Sequence, residues 1–459
     1  MYFVIRGCYL HDFTVGIQFS NVKNATIKDS KICGEGRRGS GIHLESVKNI
    51  EITNVEISET VCGIEVYSSE HILISGNTIK NIGDLNYARA PAAIRLEKSE
   101  SGPESSSIEV CENTIKNSII GISISQSKSN KILRNVIRNS HYGEGGGAPW
   151  MSTSLICRRS SYNQICDNMI TNVSSGMMLS QSFNNTISGN KISECCQIEG
   201  PLATEGKHYG SGSEAFYLEE SGYNYILNNN VEQSNGIVLM YSYNNVVSGN
   251  SLKDVTWGIQ IRIGDGDVSK RPPSNFNTIS NNTYYLDKYA PPGYINTAFI
   301  LRGASKNIFT GNMVHGDENT PLFLGISFQE SHVTGVGQIY PSQNVFYNND
   351  FAATENIDLT EKSKRDLAKM NVWNLSPYLG TNIIGGNMIG GNYWGDYKGK
   401  DTNGDGIGDT NLPYGPGDYA PLVKPGEGTT AFLTSGFEPF VIFAVFGFTV
   451  FIRRRRKRN

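Results

Sequence analysis

The stretch "GIEVYSSEHILISGNTI", residues 63–79, alternates apolar and polar residues twice and breaks at Ser68-Ser69 and at Gly76-Asn77. Alternation with a period of two places Ile64 and Val66, then Ile72 and Ile74, on one face of two short strands. The same phrase returns as "GIHLESVKNIEITNVEI" (41–57), "GMMLSQSFNNTISGNKI" (176–192) and "GIVLMYSYNNVVSGNSL" (236–252). Aligned, these give the unit G-I-x-I-x-x-S-x-N-x-x-I-x-x-N-x-I. It begins at Gly16, Gly41, Gly63, Ala93, Gly121, Ser154, Gly176, Ala215, Gly236, Gly258, Ala298 and Gly325, with the shortest spacings at 21 and 22 residues. Strands this short cannot bury an apolar face alone but can by stacking on identical neighbours. The expected fold is all-β: a parallel β-helix solenoid of about a dozen or more rungs.

The composition agrees with a stack of turns rather than a thick globule, since only 38% of residues are apolar and 50 are Gly. Asparagine recurs at one turn of successive units, at Asn77, Asn113, Asn135, Asn168, Asn190, Asn229, Asn250, Asn282, Asn312 and Asn349. Asn accepts left-handed backbone, and stacked amides bond one another, so these residues are expected to be structural.

Insertions leave both ends of the Gly-Ile strand, at residues 81–91, 141–151, 195–213 and 286–296 on one side and 99–105, 264–274 and 330–342 on the other. They would wall a groove whose floor is the outward residues of those strands. Near the start that floor is His43, Glu45, Glu65, Tyr67, Arg95 and Glu97; further on it is Tyr217, Glu219, Gln260, Arg262 and Arg302. Aromatic rings, carboxylates and guanidinium forks on one floor suit an extended saccharide. The second group is the candidate ligand site, and Arg262 beside Arg302 on adjacent rungs is unfavourable unless an anion or a neighbouring carboxylate relieves it. Glu219, Asp265 and Asp267 are carboxyls in the same region, but glycoside hydrolysis needs two at a set separation that spacing alone does not give. A polysaccharide lyase or hydrolase is therefore the alternative to a binding protein.

Beyond the repeats, "DTNGDGIGD" (401–409) places Asp401, Asn403, Asp405 and Asp409 at alternate residues, with the Ile407 carbonyl between them. Crowded oxygen ligands on one tight loop predict structural calcium, with Asp418 closing the shell. Position twelve is Leu412 and the flanks are not helical, so this is not a helix-loop-helix calcium hand. At the end, an apolar run from Phe440 to Ile452 precedes the basic cluster Arg453 to Arg458. A spanning helix usually takes about 20 apolar residues, more than this run; with the basic flank it still reads as a transmembrane anchor, its charges inside and the body outside the cell. The opening "MYFVIRGCYL" has no leader-like pattern, so a signal and a further half-rung are expected upstream. The formal net charge is −3, or −9 without the six basic residues at 453–458. Lys and Arg are not clustered in that acidic body, which removes the electrostatic footprint of a nucleic-acid partner.

The repeats resemble the NosD-type right-handed parallel β-helix, the repeat domain of carbohydrate-binding proteins and sugar hydrolases. The segment 372–415, with "GGNYWGDY" (390–397) and the acidic loop, followed by "GDYAPLV" (417–423), resembles the C-terminal module of archaeal cell-surface members. "SGFEPF" (435–440) with the apolar run and Arg cluster is similar to sorting signals cut by a sortase-like membrane protease, except that Ser435 stands where Pro is common. The resemblance implies a cell-surface protein, anchored at its C-terminus, that binds polysaccharide or builds the envelope. Its division would be repeats 3–352, C-terminal module 353–424, linker 425–436 and anchor 437–459. The family name also implies copper, but His11, His43, His71, His141, His208, His315 and His332 are dispersed and the eight cysteines form no CxxC pair.

Overall fold

A strand of three to six residues gains stability here only through the copies above and below it, and the architecture follows from that. The computed structural model describes residues 2–35, 39–83, 91–140, 153–195, 213–264, 271–286, 295–316 and 323–425. Each rung contributes one strand to each of three parallel sheets, of 14, 14 and 13 strands. The chain visits them in fixed order, as in Phe3–Arg6, Tyr9–His11 and Val15–Ser20, so the result is a right-handed parallel β-helix.

In register, Ile27, Ile52, Ile74, Val110, Ile132, Ile165 and Ile187 form one inward column of the first sheet. Ile42, Leu44, Ile259 and Ile261 point inward on the third sheet and are 0–1% exposed. The apolar core is one continuous cluster from Ile17 to Trp394. Gly opens the unit because rungs approach closely at that corner: a Cβ on Gly41 would fall 2.6 Å from Ile57 Cγ2 and 2.8 Å from the Gly63 carbonyl oxygen.

Two amide ladders hold the other corners. Asn77 Nδ2 donates to Asn113 Oδ1 at 2.9 Å, and the pattern repeats through the ten expected Asn to Asn349, which donates to Asn392 at 2.8 Å. A second ladder at the corner between the third and first sheets runs Asn130, Asn163, Asn185, Asn224, Asn245, Asn277, Asn307, Asn344, Asn371. Each amide is buried and also bonds the backbone, so the amide groups of both ladders are satisfied locally.

The C-terminal module continues the stack. Tyr393–Trp394 joins the second sheet beside Asp350–Ala352, while Trp373 stacks on Phe346 and Trp394 on Phe351. The helix Lys362–Lys369 buries Leu367 and Ala368 against the same end. No helix among the described residues is long and apolar enough to cross a membrane, and the expected linker tail and anchor, 426–459, lie outside them.

Candidate functional site

Alternation along the third sheet turns every second side chain outward, and the register stacks those side chains in columns. One column runs His43, Glu65, Arg95 near the start and Met178, Tyr217, Val238, Gln260 further on. The neighbouring column runs Glu45, Tyr67, Glu97, then Arg158, Ser180, Glu219, Met240, Arg262, Arg302.

Five consecutive rungs, from the strand Thr153–Arg158 to Trp257–Arg262, frame a depression of about 730 Å³. Tyr217, Glu219 and Arg262 line it as expected, joined by Arg158, Arg159, Met178, Gln181, Glu214, Glu220 and Arg271. Arg302 stands in register beside Arg262, one rung beyond the pocket. Gln260 lies behind the floor, 3% exposed, between Val238 and Ile300, and accepts from Arg262 Nη1 at 3.4 Å. Asp265 and Asp267 fall outside the described residues.

Arg271 clamps one wall. Its Nη1 is 3.0 Å from Glu219 Oε1, its Nε 3.2 Å from Glu220 Oε1, and its guanidinium lies 4.8 Å over the Tyr241 ring. Gln181 bridges Glu220 and Arg159, donating to the first at 2.8 Å and accepting from the second at 2.9 Å. Arg262 is different: among the described residues it has no carboxylate partner, and its Nε is buried without a hydrogen bond. Burial, reinforced by the Glu219 charge, pushes the Tyr217 phenol up to about 12, so it stays a donor and gives its hydrogen to Met240 Sδ at 2.9 Å. With Glu219 held in an ion pair and Tyr217 protonated, the pocket presents four guanidinium groups and the carboxylates of Glu214, Glu219 and Glu220.

The first group forms a separate cluster centred on Glu65. Glu65 accepts from Ser40, from Tyr67 Oη at 2.9 Å and from His43 at 3.4 Å, with Arg95 Nε 3.8 Å away. Burial alone would raise Glu65, but the hydrogen bonds from His43, Ser40 and Tyr67 and the charge of Arg95 outweigh it and hold it at about 2. It is a permanent carboxylate, unsuited to donating a proton near neutral pH.

In the acidic loop, Asp401 accepts from Gly404 and Gly406 N–H, Asn403 from Asp405, Asp405 from Ile407, and Asp409 from Thr402 and Asn403. Asp418 is fully buried elsewhere, accepting from Asn392 N at 2.9 Å, Trp394 Nε1 at 2.8 Å and Ala420 N at 3.0 Å. Among the described residues no three His, Cys, Asp or Glu side chains converge where they could hold a metal ion.

Comparison with protein families matches residues 23–209 and 202–399 to the model described as "Periplasmic copper-binding protein (NosD)". The chain belongs to the NosD family. Among solved structures this NosD-family chain is similar to the periplasmic alginate epimerase AlgG, at 13% identity and TM-score 0.39, over 68% of this chain and 78% of that one. It is also similar to the Dettilon tailspike protein (15%, TM-score 0.47, over 82% and 66%) and to an alginate lyase from Paenibacillus sp. str. FPU-7 (13%, TM-score 0.34, over 71% and 99%). A comparison with curated proteins found no match. Copper, which the family description carries, does not fit the donors described: no metal-binding group forms, and burial pushes the Cys62 and Cys157 thiols up to about 11 and about 12, away from the thiolate form a soft metal takes.

Proposed function

We propose that this NosD-family β-helix recognises an acidic polysaccharide, held over the third sheet by the pocket of Tyr217, Arg262, Arg271, Arg158 and Arg159. One observation carries the reading: four guanidinium groups, one more than the carboxylates of Glu214, Glu219 and Glu220 beside them, surround a single depression on a chain whose net charge is −9 apart from its basic tail. Positive charge gathered locally against an opposing net charge is a feature of a site, because diffuse surface charge would follow the whole. Two further assignments belong to this proposal and rest on sequence alone. Residues 437–459 anchor the protein at the cell surface, and calcium stabilises residues 401–409.

Titration calorimetry against polygalacturonate, alginate and neutral amylose tests the reading. Binding confined to the two polyuronates, weakening as salt is raised, is expected. Equal affinity for amylose, or binding to none of the three, overturns it. Incubating the bound polyuronate and measuring new reducing ends or unsaturated product decides whether recognition extends to processing.

A further inference from the structure

The corner between the third and first sheets carries a row of aromatic residues that neither the core nor the pocket uses. Going up the five rungs of the pocket, each rung places one aromatic there: Tyr162, Phe183, Tyr223, Tyr243 and Phe276, at two adjacent corner positions in alternation. The adjoining rungs have Lys128-Ser129 below and Ser305-Lys306 above, with no aromatic at either position. The row therefore begins and ends with the pocket.

Core packing does not explain these residues, whose ring contacts lie within the row and at its edge: Tyr223 meets Tyr243 edge-on at 5.8 Å, and Lys306 Nζ lies 5.7 Å over Phe276. Tyr162, Tyr223 and Phe276 are 62%, 49% and 56% exposed, and their φ angles are 60°, 59° and 59°. Left-handed backbone is unfavourable for a bulky side chain. The equivalent positions on neighbouring rungs are Ser129, Asn184, Asn244 and Lys306, which serve the same turn with polar side chains. Three aromatics thus occupy a strained, exposed position that Asn or Ser would fill better, which points to selection for contact with something outside the fold.

We propose that this row is a sugar-stacking rail that carries a polysaccharide along the solenoid axis beside the arginine pocket; it rests on the glycan reading above. Rungs about 4.8 Å apart make the rail about 19 Å long, so it addresses a chain of several sugars rather than one. A pyranose has apolar C–H faces and a hydroxyl rim. Single-file rings alternating with Ser161, Asn184, Asn244 and Asn275 match that pattern, whereas a protein or membrane contact needs a contiguous apolar patch. The rail is also continuous with the pocket, because Arg159, Gln181 and Glu220 on its edge precede Tyr162, Phe183 and Tyr223 by two or three residues.

The test is the triple variant Tyr162→Ser, Tyr223→Asn, Phe276→Asn, in the full chain, which replaces each ring with a residue type used at that position on other rungs. Affinities for polygalacturonate and for monomeric galacturonate are measured with wild type and variant. A loss of at least tenfold for the polymer, with monomer binding and melting temperature unchanged, is expected. If wild type and variant bind the polymer equally, the rail is wrong and the pocket reading stands. If wild type binds neither sugar, both fall. If the variant instead loses binding to anionic phospholipid vesicles, or a concentration-dependent self-association seen by sedimentation, the occupant is a membrane or a second copy and the rail is overturned.

Discussion

Replacing Arg262 with Ala should weaken binding while leaving stability nearly unchanged. Arg262 and Arg302 occupy paired positions on adjacent rungs, about 4.8 Å apart along the stack. Two unit charges at that separation repel by about 1 to 3 kcal/mol for effective dielectric constants between 80 and 20. Arg302 has contacts of its own, which places the net relief near the lower end, about 1 kcal/mol. The buried Arg262 Nε lacks a partner among the described residues, and removing an unsatisfied donor adds to the gain. The same substitution removes the 3.4 Å hydrogen bond that buried Gln260 accepts, which offsets the gain, so the folded state should stay within about 1 kcal/mol of wild type. Bound polyuronate supplies the missing anion, so the variant should lose charge-assisted hydrogen bonds worth about 1.5 to 3 kcal/mol, roughly 10- to 150-fold in Kd. Urea unfolding and titration calorimetry on the same preparations read the two quantities. A variant destabilised by more than about 1 kcal/mol that still binds polygalacturonate with wild-type affinity would show that Arg262 is a structural residue.

Asn229→Ala breaks the first amide ladder in its middle, leaving Asn190 N–H and one Asn190 amide hydrogen without their acceptor; two buried orphan donors predict a loss of about 2 to 6 kcal/mol in urea unfolding, and a loss below 1 kcal/mol would refute that role. The His43–Glu65 pair sets a pH optimum. Its hydrogen bond to Glu65 raises His43 above 6.5, so this stabilisation is present below that value and lost as pH climbs through the raised one. Glu65 lies below its ordinary 4.5, so its contribution is present above 4.5 and lost as pH falls toward 2. Hydrogen-exchange protection in the first rungs, corrected for the intrinsic pH dependence of exchange, should be greatest between pH 4.5 and 6.5, and Glu65→Gln should flatten both limbs. Calcium at 401–409 predicts that chelation lowers the melting temperature and that Asp405→Ala abolishes the sensitivity; identical melting with calcium and chelator would discard the metal.

The fold was legible because a solenoid repeats its instructions, and parity was the most reliable of them. Ile42, Leu44, Ile259 and Ile261 are inward, and Tyr217, Glu219, Arg262 and Arg302 outward, from alternation alone. The second ladder was harder to see. Its Asn often sits beside another, as in Asn184-Asn185 and Asn244-Asn245, where one side chain enters the ladder and the other takes the positive-φ turn. The residue type is the same in both roles; only register separates them. Gln260 has the right parity yet is covered, because parity fixes direction and not the bulk of Val238 and Ile300 on either side.

Arg271 marks where repeat logic stops. It lies within the insertion at 264–274, so no alignment of units places it, yet it forms ion pairs with Glu219 and Glu220 and lies over Tyr241. Arg158 and Arg159, by contrast, sit at the end of a strand and were available to the same alignment that found Glu219, since Arg158 and Glu219 share one column. Asp418 teaches the converse. Near the acidic loop in sequence, it is consumed by Asn392, Trp394 and Ala420 because closing the end of a solenoid leaves N–H groups that need an acceptor. Core and ladders thus supply stability from the inside, which frees the outer face of the third sheet to carry charge arrangements, such as Arg262 beside Arg302, that stability alone would not select.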